Sequence, residues 1–205
     1  MSKTRTEAFS DGVIAVAITL LALDLHVPKA SSAASLAHQL GQQWPNYAAY
    51  AVSFLTIGII WINHHAMLRR LVDVDHAVVM LNILLLMTIV VLPFSTALLS
   101  EYLKAGEGER LAAAIYGGSL LLMSLTFIAM HRQVLVAKPH LLDEHITEEH
   151  KRWLLRRNAI GLTPYALATA GAVLSPYVTL AICTLVAVFY ALPATTPAPP
   201  EAIGP

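Results

Sequence analysis

Long apolar runs separated by short polar intervals organise this chain. A bilayer-spanning helix needs about 20 mostly apolar residues. Six segments qualify, at about 6–27, 46–68, 76–100, 110–131, 158–174 and 177–192. Pro45 follows Trp44 where the second begins, a position at which proline suits a helix start. Pro93 lies inside the third and is expected to kink it or end its regular part. Ser175-Pro176 makes the fifth and sixth a tight hairpin, and Pro193 stops the sixth. The stretch 193–205 carries prolines at 193, 197, 199, 200 and 205 and reads as a disordered tail. No internal repeat is visible. The pattern predicts an all-α, polytopic membrane protein with one six-helix domain over residues 1–192.

Composition agrees with that pattern. Of 205 residues, 57% are hydrophobic and 13% charged, where a soluble domain carries roughly 25% charged residues. A soluble fold of this size cannot hide so much apolar surface, whereas lipid solvates it. The net charge is zero, so no global field points to nucleic acid. The single cysteine, Cys183, lies in an apolar run. It excludes a disulfide within the chain and reads as a small buried residue.

Charge placement gives the orientation. With a cytoplasmic N-terminus, the inside holds Lys3, Arg5, Arg69, Arg70, Arg132, Lys138, Lys151, Arg152, Arg156 and Arg157. The outside holds Lys29, Lys104 and Arg110. Ten against three follows the positive-inside rule and places both termini in the cytoplasm of a multi-pass cell-membrane protein. Lys3 and Arg5 ahead of an apolar run resemble a signal peptide. Glu7, Asp11 and Asp24 interrupt or border the run, and no small-x-small site closes it, so it reads as a retained helix.

The interval of about 132–157 contains a charged stretch, Asp143 to Arg157, expected as a solvated or interfacial helix. Its histidines at 140, 145 and 150 are five apart. They do not share a face as ligands at i, i+4 do, so no metal site is expected.

The first span carries the most specific pattern. On a helix turning about 100° per residue, Gly12, Val16, Leu20, Leu23 and Val27 fall within about 40° of one line. Thr19 lies to one side of this stripe, Asp24 to the other, and Asp11 on the opposite face. The bland reading of such a stripe is ordinary packing. Arg5, Glu7, Ser10 and Asp11 add weight, because charged and polar groups at the start of a spanning helix must find partners. Trp61, Asn63, His64 and His65 near the end of the second span, and Asn82 near the start of the third, lie at the same depth. A buried polar network joining the first three spans is expected, its role chiefly to pin helix positions.

Arg5-x-x-x-Phe9-Ser10-Asp11 resembles the signature of the transmembrane protein 175 family, the endolysosomal potassium channels and their prokaryotic relatives. The resemblance runs through Leu25 and continues into Trp61, His64, His65, Asn82 and Pro93-Phe94. It implies six helices per repeat. Animal members carry two repeats and prokaryotic members one, the latter as homotetramers whose first helices line a central pore. This single-repeat chain is similar to the second kind.

The resemblance implies a constriction of bulky apolar residues, carried onto Val16, Leu20 and Leu23, with a selectivity threonine at Thr19. Valine at 16 is shorter than the isoleucine or leucine often found there, which shifts the tightest ring to Leu20 or Leu23. Arg5, Phe9, Ser10 and Asp11 are implied to hold the helix rather than touch the ion. Asp24 at the outer mouth either concentrates cations or is a solvated helix end.

The function expected is a modestly potassium-selective cation channel. It needs no cofactor beyond permeant K⁺, and its partners are its own copies and the bilayer. A secondary transporter needs ionisable or unwound positions near the midplane, and the first, third, fourth and sixth spans have no charged centre. A proton-leak pathway and a non-conducting scaffold are the remaining alternatives. No nucleophile motif or paired intramembrane carboxylate points to an enzyme.

Overall fold

The computed structural model describes residues 2–29, 34–142 and 147–192. The tail expected at 193–205 lies outside them, as do His145 and the start of the charged stretch at Asp143. The regular structure of the described residues is all helical apart from one isolated bridge between Leu71 and Leu142. In order it forms α1 (Lys3–Leu20), α2 (Leu36–Gln42), α3 (Trp44–Arg69), α4 (His76–Tyr102), α5 (Glu109–Arg132), α6 (Glu148–Gly171) and α7 (Pro176–Ala191). A 3-10 turn at Leu21–Asp24 follows α1, and a π turn at Gln133–Ala137 extends α5.

Local chemistry sets the helix starts. Asp75 accepts from the Val78 amide at 2.9 Å and caps α4, and Ser175 accepts from the Tyr177 amide at 3.3 Å and caps α7. Pro45 and Pro176 sit in first turns, where their missing N–H costs nothing. Gly108, with φ 79°, turns the chain into α5 in a conformation that disfavours a side chain.

Several boundaries differ from expectation. The first helix stops being α-helical at Leu20, tightens to a 3-10 turn through Asp24, and leaves the helix at Leu25. Val27 therefore does not continue the predicted stripe. Pro93 does not end α4, which runs through it to Tyr102. It withholds an N–H from the ladder, and close by Ser95 and Thr96 both donate their hydroxyls to the Leu92 carbonyl, at 3.1 and 2.7 Å. The span expected at 158–174 is the later part of α6. That helix begins in the charged stretch at Glu148, because no breaker separates the two, and it ends at Gly171. The short α2 is not anticipated. Its signal is Ser35, whose Oγ accepts from the His38 amide at 3.3 Å.

Among the described residues, four helical segments are long and apolar enough to cross a membrane: Lys3–Asp24, Trp44–Arg69, His76–Tyr102 and Glu109–Ala137. α7 has 16 residues, and α6 opens with charged turns, so neither meets that measure.

α4 is the hub of the bundle, packed by α1 and α3 on one side and α5 on the other. α5 packs in turn on α6 and α7, and α7 reaches back to α3. α5 and α6 approach closely where Gly117 faces Thr169, and a Cβ added at Gly117 would meet Thr169 backbone at 3.1 Å. One buried hydroxyl knot ties three helices. Ser53 Oγ lies 2.8 Å from Thr96 Oγ1 and 3.0 Å from the Tyr116 hydroxyl. At the end of the bundle where α1 begins, Lys3 Nζ donates to the Leu71 carbonyl at 2.7 Å, and Lys138 pairs with Asp75 at 3.1 Å. α1 thus lies at one edge of the bundle, held by α3 and α4.

Candidate functional site on the first helix

α1 has two unlike faces. Thr6, Ser10, Ile14, Ala17 and Leu21 recur at three- and four-residue intervals and are buried against the bundle. Phe9, Gly12, Val16, Thr19, Leu20 and Leu23 lie on the other side and are exposed. Leu23 is 73% exposed and Val16 57%, whereas Ile14 is 1% and Leu21 0% exposed. The apolar stripe singled out in the sequence, as far as Leu23, is the face that the described residues leave uncovered.

The 3-10 turn alters the geometry of that face. Side chains three apart eclipse in such a turn. Leu23 therefore stacks above Leu20 instead of rotating away, while Asp24 stacks above buried Leu21. Asp24 is half-buried, and its backbone carbonyl accepts from Asn46 Nδ2 at 3.2 Å, tying the end of the first span to the start of α3. Thr19 is exposed, and its hydroxyl donates to the Val16 carbonyl at 2.8 Å. With its hydrogen committed, the Thr19 oxygen presents only lone pairs outward.

The buried face begins in a directed hydrogen-bond string. Ser10 Oγ donates to the Thr6 carbonyl at 2.8 Å, which leaves it an acceptor. Asn82 Nδ2 donates to Ser10 Oγ at 2.9 Å, so Asn82 Oδ1 faces His64 Nε2 at 2.7 Å. Consistency along the string makes His64 Nε2 a donor and fixes its tautomer. Ser10, His64 and Asn82 are each at most 1% exposed. The string crosses from α1 through α4 to α3. An amide in its middle relays no proton readily, so it is built as a brace.

A second link is half open to the surroundings. Trp61 Nε1 donates to Asp11 Oδ1 at 2.8 Å, and His65 stacks on the Trp61 ring at 6.0 Å between centroids. Of the residues singled out in the sequence, Ser10, His64 and Asn82 come together in one string, and Asp11, Trp61 and His65 in the other. Arg5 and Phe9 are exposed and take no part in either. Sequence reasoning missed Thr6, whose carbonyl ends the string. Its only signal is the four-residue spacing to Ser10. Among the described residues no group of His, Cys, Asp and Glu is arranged to hold a metal.

Known proteins place this architecture. A family model described as the endosomal/lysosomal potassium channel TMEM175 matches residues 5–93. A potassium channel of Streptomyces collinus is 45% identical over 186 residues, 91% of this chain and 90% of its own. The chain belongs to the TMEM175 family. The crystal structure of a lysosomal potassium-selective channel TMEM175 homolog from Chamaesiphon minutus superposes with a TM-score of 0.83. That similarity covers 95% of this chain and 98% of that one, at 33% identity. The endosomal/lysosomal proton channel TMEM175 of Gallus gallus is 39% identical over 117 residues, 53% of this chain and 23% of that protein. The stretch matched by the TMEM175 family model spans both α1 faces, α3, and α4 as far as Pro93. This chain is accordingly a helical membrane protein of a channel family rather than of an enzyme class.

Proposed function

We propose that this protein is a potassium-permeable cation channel of the cell membrane, assembled as a homotetramer around α1. Its six helices α1 and α3–α7 cross the bilayer with both termini in the cytoplasm. At about 1.5 Å per residue, the 16 residues of α7 cover most of a hydrocarbon core of about 30 Å, and α7 crosses paired with α6. The observation that carries the reading is the two-faced α1. One face is cross-braced to α3 and α4, and the other offers an apolar stripe that nothing among the described residues covers.

Four such stripes around an axis form a narrow throat. Val16, Leu20 and Leu23 make its apolar rings, and the stacking of Leu23 on Leu20 lengthens the constriction. A tight apolar throat dewets and blocks ions, and slight widening lets water and ions through. Thr19 supplies the one hydroxyl layer among these rings. Its donor is committed to Val16, so it offers oxygen to a cation and no hydrogen to an anion. Asp24, behind the throat-lining face at the outer mouth, adds negative charge there that raises the local cation concentration. The Ser10–Asn82–His64 string and the Asp11–Trp61 bond hold α1 at the angle that sets the throat. No cofactor is required.

The test is K⁺ and Na⁺ flux from purified protein in liposomes, wild type beside Leu23→Ala. Potassium-favouring flux that rises in the variant is expected. Silence in both would sink the channel reading. Flux that saturates and depends on a second ion would replace it with coupled transport. The name of the Gallus gallus relative makes proton permeation the second reading. Its signature is acidification of the vesicle lumen with no matching K⁺ movement.

A further inference from the structure

Two exposed stripes on neighbouring helices end in arginine at one level. On α6, Arg152, Arg156, Ile160 and Leu167 recur at helical spacing, and all four are exposed. The same face is cationic at its start and apolar beyond. On α5, exposed Leu125 leads two turns on to exposed Arg132 at the helix end. The two helices are antiparallel, since Gly117 faces Thr169 while Ser124 and Phe127 share a cavity wall with Gly161 and Tyr165. Counting along the pair from the Gly117–Thr169 contact brings Arg132 level with Leu154, between Arg152 and Arg156.

These guanidiniums are unspent. No ion pair among the described residues includes any of the three. Glu148 gives its carboxylate to Lys151 at 2.6 Å and offers Arg152 only a backbone carbonyl at 3.4 Å. Asp75 is taken by Lys138. α6 also lies on the side of the bundle away from α1, packed on α5 and α7. With α1 at the central axis, α6 stands at the perimeter in lipid, and the inference rests on that placement.

We infer that Arg132, Arg152 and Arg156 form a binding site for the headgroup of an anionic phospholipid, with its acyl chains lying along Ile160 and Leu167. A guanidinium presents a planar fork of donors that matches a phosphate. Cations just beyond a spanning helix sit where anionic headgroups collect. A zwitterionic headgroup brings its own cation to the same place, which offsets most of the attraction. A free anion leaves the apolar stripe beside the arginines without its complement, so the continuity from charge to hydrocarbon selects a lipid.

The test is native mass spectrometry of the full-length protein released from micelles doped with phosphatidylglycerol or phosphatidylcholine. Retained phosphatidylglycerol in excess of phosphatidylcholine is expected. Combining Arg132→Gln, Arg152→Gln and Arg156→Gln lowers that retention about a hundredfold, while Arg110→Gln at the opposite membrane face leaves it unchanged. The corresponding lysine substitutions keep the charge and lose the fork, so they retain an intermediate amount. Should the triple variant aggregate, Arg156→Gln alone reads the same quantity. Equal retention of the two lipids, or undiminished retention in the glutamine variants, overturns the site. Displacement of phosphatidylglycerol by an equal concentration of inorganic phosphate also overturns it, by assigning the arginines to a free anion. Lipid retention is read without ion flux. Flux without retention therefore removes this site alone, and retention without flux removes the channel reading alone.

Discussion

Asn82 hands a hydrogen to Ser10 across the boundary between α4 and α1, at 2.9 Å and wholly out of contact with solvent. Replacing Asn82 with leucine strips Ser10 Oγ of its donor and the His64 N–H of its acceptor together. Each buried group left unpaired costs roughly 1–3 kcal/mol. Asn82→Leu should lower the thermal midpoint in detergent by several degrees and shift protein from assembled to dispersed fractions on size exclusion. An unchanged midpoint would mean that the string is ornamental.

Thr19 is the only hydroxyl on the exposed face of α1 among Val16, Leu20 and Leu23. Thr19→Ser keeps the oxygen and should keep potassium ahead of sodium. Thr19→Val keeps the shape and removes the oxygen. It should bring the two permeabilities together while leaving assembly intact. Bi-ionic reversal potentials in planar bilayers measure the difference. Equal selectivity in wild type and the valine variant would show that the hydroxyl does not meet the ion.

Gly117 and Gly118 are adjacent yet face opposite circumstances. A Cβ at Gly117 runs into Thr169 backbone at 3.1 Å, whereas nothing stands within 4 Å of one at Gly118. Gly117→Ala should push α5 off α6 and destabilise by roughly 1–3 kcal/mol. Gly118→Ala should be neutral or slightly stabilising, because alanine favours the helix by about 1 kcal/mol over glycine. Parallel thermal melts of the two variants decide the matter. Equal losses would disprove the close crossing.

Asp75 titrates outside the spanning segments. The Val78 amide that it caps holds its carboxyl below the usual range; partial burial opposes this, and the Lys138 ammonium adds to the lowering. A depressed carboxyl stabilises the fold above its unfolded value, about 3.9, and loses that contribution as pH falls through the folded value. Stability should therefore drop on acidification below about pH 4. Asp75→Asn keeps a capping oxygen and should flatten that part of the profile. Melting temperatures followed down the acid range measure it. A profile identical to wild type would assign the acid sensitivity to other groups.

The long apolar helices are legible in the sequence because each run is bounded by its own chemistry. Pro45 opens α3, Asp75 caps α4 and Gly108 turns into α5. The end of α1 is not legible. Leu21–Asp24 contains no glycine or proline to mark the change of pitch, so a uniform helix carries the stripe on to Val27, which the chain has already left. α6 is misread for the opposite reason. A shift from charged to apolar composition suggests a boundary where the backbone has none. Equal membrane depth nominates Ser10, His64 and Asn82 as partners, yet depth alone does not tell His64 from His65. Only the packing of α3 turns the first into the string and the second onto Trp61. The buried half of α1 is invisible to a search for an apolar stripe, since Ser10 and Ala17 contribute little hydrophobicity and are buried all the same.

That division of α1 separates two kinds of failure. A change on the inner face harms first the copy that carries it, because that copy is less stable and assembles less, and its healthy siblings are largely spared its company. In the proposed ring, a change on the outer face leaves a sound protomer that still assembles, and one such member alters a passage shared by all. Variants at Leu23 should therefore behave as dominant when co-expressed with wild type, and variants at Asn82 as recessive.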